Sequence, residues 1–220
     1  MEPADRCERC EKPRALCVCD RVVVHAPRTR VVLLQHPQEQ DRELGTAPLV
    51  LASLKGSVKV VGLSWASLAH CLGEERAQER WAVLYPGSLR RALTAPEEAR
   101  EALHLDRRGE PRDPHLGPWE GLLVLDGSWS QAKTLWWRNP WFLKLGRVVL
   151  HPREPSIYGK LRREPRRGAL STLEAVAEAL VANGEPEAQR EDLRRLFRTL
   201  VQRARDAGRP RKVTGDPPGG

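Results

Sequence analysis

From residue 30 onward the chain alternates short apolar runs with segments of helical periodicity. The runs at 31–35, 58–63, 81–85, 122–125 and 147–150 have the length of strands; 122–125, apolar throughout, reads as a strand buried on both faces. Helices are predicted between them, near 47–54, 96–103 and 128–138. Two longer helices are predicted to begin near Ser171 and Pro186. Strand and helix in alternation predict an α/β domain with a mostly parallel sheet.

The sharpest change of pattern is at 122–140, LLVLDGSWSQAKTLWWRNP. Asp126-Gly127 supplies a turn, Ser128 with Gln131 makes a capping box, and Pro140 ends the helix. Trp129, Ala132 and Trp136 fall on one helical stripe. A carboxylate, a hydroxyl and an indole are thereby presented where a strand's carboxyl end meets a helix N-terminus, the edge at which open α/β sheets bind ligands. The same residues also fit a plainer role, with Asp126 capping the helix and Trp129 in the core. Ser171 and Glu174 repeat the capping-box pattern. The Pro-, Gly- and charge-rich stretch 107–119 reads as a long loop, either a lid, an RNA contact or an inconsequential insertion.

Composition adds charge and metal chemistry. The 220 residues carry a net charge of +8 and suffice for one substantial domain with a small appendage. Clustered Lys and Arg gain affinity for phosphates by releasing counterions, so RNA or DNA is the expected partner. The stretch 147–167 holds Arg147, Arg153, Lys160, Arg162, Arg163, Arg166 and Arg167 against Glu154 and Glu164, and reads as a phosphate-gripping loop or a merely solvated one. Seven Trp are present, and Trp129, Trp136, Trp137 and Trp141 crowd into thirteen residues. Trp suits base stacking and core packing equally. No apolar run approaches membrane-spanning length and no signal-peptide core opens the sequence, so a cytoplasmic protein with no membrane partner is expected.

Cys7, Cys10, Cys17 and Cys19 place two close pairs within thirteen residues. Cys-x2-Cys has knuckle spacing, and Cys-x-Cys puts both sulfurs on one side of an extended strand. Structural zinc is the leading reading, beside a disulfide pair or an iron–sulfur cluster. Four protein thiolates would leave no open position for catalysis. The chain thus divides into a four-cysteine zinc-binding module at 1–21, a catalytic domain at 22–204 and a basic, disordered tail at 205–220. Cys71 reads as a buried apolar side chain. His36, ending the first strand, has no assignable role from composition alone.

Cys-x2-Cys with Cys-x-Cys, LLQHPQE with Gly45-Thr46-Ala47, LDGSW, SIYGKLRREP and LSTLEA occur together and in order across residues 7–180. In that combination the chain resembles the DTW-domain family of tRNA-uridine aminocarboxypropyltransferases. The family's name-giving tripeptide has Thr where this chain has Ser128, which keeps the hydroxyl and drops a methyl.

The resemblance implies a SPOUT-like α/β fold whose knotted region binds S-adenosylmethionine, and no Gly-x-Gly-x-x-Gly of a dinucleotide site follows any predicted strand. It implies transfer of the 3-amino-3-carboxypropyl group of S-adenosylmethionine to N3 of a uridine in a tRNA loop, with release of methylthioadenosine. Asp126, Ser128 and Trp129 would then be catalytic, with Asp126 as base or as a positioning group for the uracil edge. His36, Glu39, Thr46, Gly127, Ser171, Thr172 and Glu174 would line the cofactor pocket. Glu174 would bond the cofactor ammonium or simply complete a capping box. Tyr158, Lys160, Arg162, Arg163 and Arg166 would hold tRNA, Tyr158 and Arg162 alternatively the cofactor carboxylate. No obligate protein partner is implied. Two other functions fit the residues: a SPOUT-type RNA methyltransferase, and a noncatalytic zinc-containing RNA-binding protein.

Overall fold

A computed structural model describes residues 6–39, 43–84, 102–152, 154–161 and 170–208. Six strands form one sheet: β1 (Arg30–Gln35), β2 (Val58–Val61), β3 (Trp81–Leu84), β4 (Ala102–Leu105), β5 (Gly121–Asp126) and β6 (Gly146–Leu150), in the order β2-β1-β5-β3-β6-β4. All neighbours are parallel except the edge strand β4, which runs antiparallel to β6. The expectation of a mostly parallel α/β sheet is met. One correction concerns the helix expected near 96–103: residues 102 and 103 open strand β4, and the rest of that stretch lies outside the described residues.

Among the described residues five α-helices accompany the sheet: α1 (Ala47–Ser53), α2 (Leu68–Leu72), α3 (Trp129–Arg138), α4 (Thr172–Ala182) and α5 (Glu187–Asp206). Residues alternate along the central strands between two apolar layers. Val31, Leu33, Leu122, Val124 and Val148 pack with α1, α4 and α5. Val32, Leu34, Trp81, Val83 and Leu123 pack with α2, α3 and Phe142. Burial on both faces explains why these strands read as continuous apolar runs. Two glycines make room for indoles: a Cβ at Gly121 would enter the Trp81 ring, and one at Gly146 the Trp119 ring. The short helix α2, closed by Gly73 in a left-handed conformation, has no counterpart among the predicted elements.

The cysteine-bearing segment has no core of its own and uses the main one. Cys10, Leu16 and Val18 are fully buried in the layer that holds Leu193, Leu196, Phe197 and Leu200 of α5. Arg203 pairs with Asp20 at 2.9 Å across this contact. In the loop 107–119, the Arg112 guanidinium stacks 3.9 Å from the Trp119 ring centroid. Asn183 holds the Trp119 backbone, accepting from its N–H at 2.8 Å and donating to its carbonyl at 2.9 Å. Among the described residues no helix is long and apolar enough to cross a membrane.

Candidate active site and metal centre

The parallel register of β1 and β5 pairs Gln35 with Asp126 at the carboxyl edge of the sheet. Both side chains are buried there, at 3% and 4% exposure. Gln35 Nε2 donates to Asp126 Oδ2 at 2.6 Å, and Thr172 Oγ1 donates to Asp126 Oδ1. Because the carboxylate only accepts, the Gln35 amide is fixed with its oxygen facing away. That oxygen, Oε1, is buried and has no hydrogen-bond partner among the described residues, so it is a ready acceptor for an N–H group. Gln35 was not among the residues singled out in the sequence. Its signal was there, the single polar side chain ending the run Val-Val-Leu-Leu.

Two helix N-termini converge on this carboxylate. Ser128 caps α3 in a full capping box: its Oγ accepts from Gln131 N at 3.4 Å, and Gln131 Oε1 accepts from Ser128 N at 2.6 Å. Ser171 caps α4 with Glu174 in the same way. Gly127 lies between, where a Cβ would come within 2.9 Å of Gln131 Cβ and 3.4 Å of His36 Cβ. His36 N donates to the Asp126 carbonyl at 2.9 Å, which ties the two strand ends together. Partial burial and the neighbouring Arg138 charge lower the His36 pKa, favouring the neutral ring. Glu39 is buried at the end of the turn Pro37–Glu39. Trp129 is the first residue of α3.

The segment Leu44–Thr46 lies against the start of α4 and is held at each residue by a different part of the chain. Tyr158 Oη donates to Leu44 O at 2.5 Å, Lys12 Nζ donates to Gly45 O, and Thr46 Oγ1 accepts from Leu173 N at 3.1 Å. Lys12 is 1% exposed, and this burial pulls its pKa down to about 8. The cysteine segment therefore reaches Gly45, beside the start of α4, through one buried ammonium.

Tyr158 is 4% exposed and packs edge-to-face on Phe197, with ring centroids 4.7 Å apart. Glu174 completes the capping box, one of the two roles expected of it. Its Oε2 accepts from Ser171 N at 2.9 Å and Ser156 Oγ at 2.7 Å, and its Oε1 accepts from Ile157 N at 2.8 Å. The structure brings together Asp126, Gly127, Ser128, Ser171, Thr172, His36 and Thr46. Lys160 lies in the turn Gly159–Leu161, whereas Arg162, Arg163 and Arg166 lie outside the described residues, as does the tail from residue 209.

The four cysteines form a metal-ready cage. Their sulfurs all lie within 4.8 Å of one another, with Cys7 to Cys19 at 3.6 Å and Cys10 to Cys17 at 3.7 Å. No disulfide joins them. Bonds of about 2.3 Å at tetrahedral angles set sulfur–sulfur edges of about 3.8 Å, so the set fits one zinc ion held by Cys7, Cys10, Cys17 and Cys19. The Cys7 thiol, turned toward the Cys10 backbone N–H, is lowered to about 6, whereas burial raises Cys10 and Cys19.

Comparison with known proteins gives one consistent result. The family model for the DTW domain matches residues 4–205. The tRNA-uridine aminocarboxypropyltransferase 2 of Macaca fascicularis is 32% identical over 198 residues, covering 82% of this chain and 58% of the macaque protein. The Drosophila melanogaster protein of the same name is 31% identical over 213 residues, covering 93% of this chain and 76% of its own length. The tRNA-uridine aminocarboxypropyltransferase A of Arabidopsis thaliana is 26% identical over 222 residues, covering 90% and 79%. The chain thus spans little more than half of the macaque relative. No solved structure gives a significant match.

Proposed function

Because this chain belongs to the DTW domain family, we propose that it transfers the 3-amino-3-carboxypropyl group of S-adenosylmethionine to N3 of a uridine in a tRNA loop. The observation that carries this reading is the buried Asp126 carboxylate, clamped by Gln35 and Thr172 where the N-termini of α3 and α4 meet. A phosphate-binding module has no use for such a group, because a buried carboxylate repels its ligand. The relatives whose names carry the same transfer supply its chemistry.

The sulfonium donor already holds a good leaving group, so the residues here need only align the reactants and take a proton. Uridine N3 bonds to the methylene carbon, the carbon–sulfur bond breaks, and methylthioadenosine leaves with the electron pair. Asp126 receives the N3 proton or fixes the uracil edge; Gln35 and Thr172 hold its oxygens in place for either task. The unpartnered Gln35 Oε1 accepts from an N–H of the substrates, either the donor's ammonium or the uracil imide. Ser128, Gly127, His36, Glu39, Thr46, Ser171 and Thr172 line the pocket, and the positive ends of the two helices favour the donor's carboxylate. Trp129, at the start of α3, acts in the chemistry with Asp126 and Ser128.

The SPOUT-like knotted region that the resemblance implies would bind S-adenosylmethionine at this same edge. Zinc held by Cys7, Cys10, Cys17 and Cys19 would be structural, and the segment they order carries Lys12 to Gly45. Lys160, Arg162, Arg163 and Arg166 grip phosphate. A target uridine in a loop can be unstacked at low cost, which a paired one cannot.

The deciding experiment incubates unmodified tRNA with S-adenosylmethionine labelled either in the carboxyl carbon of its amino-acid arm or in its methyl group. Carboxyl label in the RNA is the expected outcome. Methyl label alone would make the protein a methyltransferase, and neither label, despite tight tRNA binding, would leave an RNA-binding protein.

A further inference from the structure

The outward face of α3 carries a tryptophan that packing does not need. Ala132 and Leu135 are buried, and Trp136 lies 5.9 Å from Phe142, so α3 already has its inward stripe. Trp65, Trp81, Trp119 and Trp141 are all 7% exposed or less, whereas Trp137 is 79% exposed. Ser130, Lys133 and Trp137 follow one another along the solvent side at helical spacing. This stripe begins at the site, because Ser130 Oγ is 3.1 Å from Ser128 Oγ. At about 1.5 Å per residue it runs roughly 10 Å from Ser130 to Trp137.

We infer that Trp137 is a stacking platform for a tRNA base flanking the target uridine, with the cations around it holding the adjoining phosphates. The inference rests on the tRNA reading above. Its occupant is chosen by charge: α3 and the turn that follows it, residues 129–144, carry the exposed Lys133, Arg138 and Lys144 and not one Asp or Glu. A second copy of the chain on this face would set those cations against their own kind, whereas a polyanion releases its counterions to them. Every base offers a π-face, so one exposed indole beside basic side chains binds single-stranded nucleic acid regardless of sequence.

The test titrates labelled unmodified tRNA with zinc-loaded wild type, Trp137→Ala, Trp137→Phe and Lys133→Ala at several salt concentrations. Trp137→Ala is expected to weaken tRNA binding about 5- to 100-fold, and Trp137→Phe to recover most of the loss. The salt slope should be the same for both as for wild type, because no phosphate contact is removed. Lys133→Ala should flatten it by about 0.7–0.9. S-adenosylmethionine binding should not change in any variant. Wild-type tRNA affinity in Trp137→Ala overturns the inference, as does loss of a self-associated species in sedimentation, which would mean that the indole covers a second copy. A wild type that binds tRNA but transfers no label defeats the catalytic reading and leaves this one to the Trp137→Ala binding result. A wild type that transfers label while Trp137→Ala binds normally defeats this inference alone.

Discussion

Asp126 and Gln35 form one unit, although only one of them was legible. Asp126 stood out because a carboxylate directly after an apolar strand needs a reason. Gln35 did not, since a polar residue ending a strand reads as the chain reaching water, and only the register with β5 shows it buried beside Asp126. Asp126→Asn should cut label transfer by about two orders of magnitude or more while leaving tRNA affinity intact, because the Gln35 amide can flip to satisfy the new side chain. Near-normal turnover in that variant would remove Asp126 from the chemistry. At Tyr158 the sequence shows an aromatic among basic residues, and the structure adds that its ring packs on Phe197 and its hydroxyl anchors Leu44. At Gly146 the constraint is steric: Gly146→Ala should lower stability to chemical denaturation by about 1–3 kcal/mol, because the methyl meets the Trp119 indole. Its folded fraction should keep full activity.

At the scale of elements, helix starts were the most legible feature. Both capping boxes, at Ser128 and Ser171, sit where the sequence set them, because a cap is a local contract between residues three apart. The edge strand β4 was not, since its pairing with β6 is a distant choice that local periodicity does not encode. The cysteine spacing predicted a metal module, yet not that Lys12 would carry its influence to Gly45. Chelating the metal should therefore weaken S-adenosylmethionine binding more than tRNA binding. Lys12→Met should keep one equivalent of zinc and reproduce the same weakening in calorimetric titration, with Lys12→Arg closer to wild type. If Lys12→Met binds S-adenosylmethionine as wild type does, the module acts on the pocket by another route.

For the whole molecule, alternation of strand and helix disclosed the class of fold, whereas the strand order did not follow from it, because order depends on which crossovers pack best in three dimensions. Net charge operates at this scale too. The affinity for tRNA should fall linearly with salt on logarithmic axes, and each residue that contacts phosphate, as proposed for Lys160, should account for about 0.7–0.9 of the slope. A flat dependence between low and physiological salt would remove the electrostatic half of recognition. The burial of Leu16 and Val18 against α5 has a consequence in time. Cys19 and Glu187 are 168 positions apart, and synthesis at about 5–20 residues per second separates them by roughly 10–30 s. For that interval the four thiols have left the ribosome without the helix that covers them. Until α5 emerges they stay without that cover, so a segment made well before α5 waits for it to complete its packing.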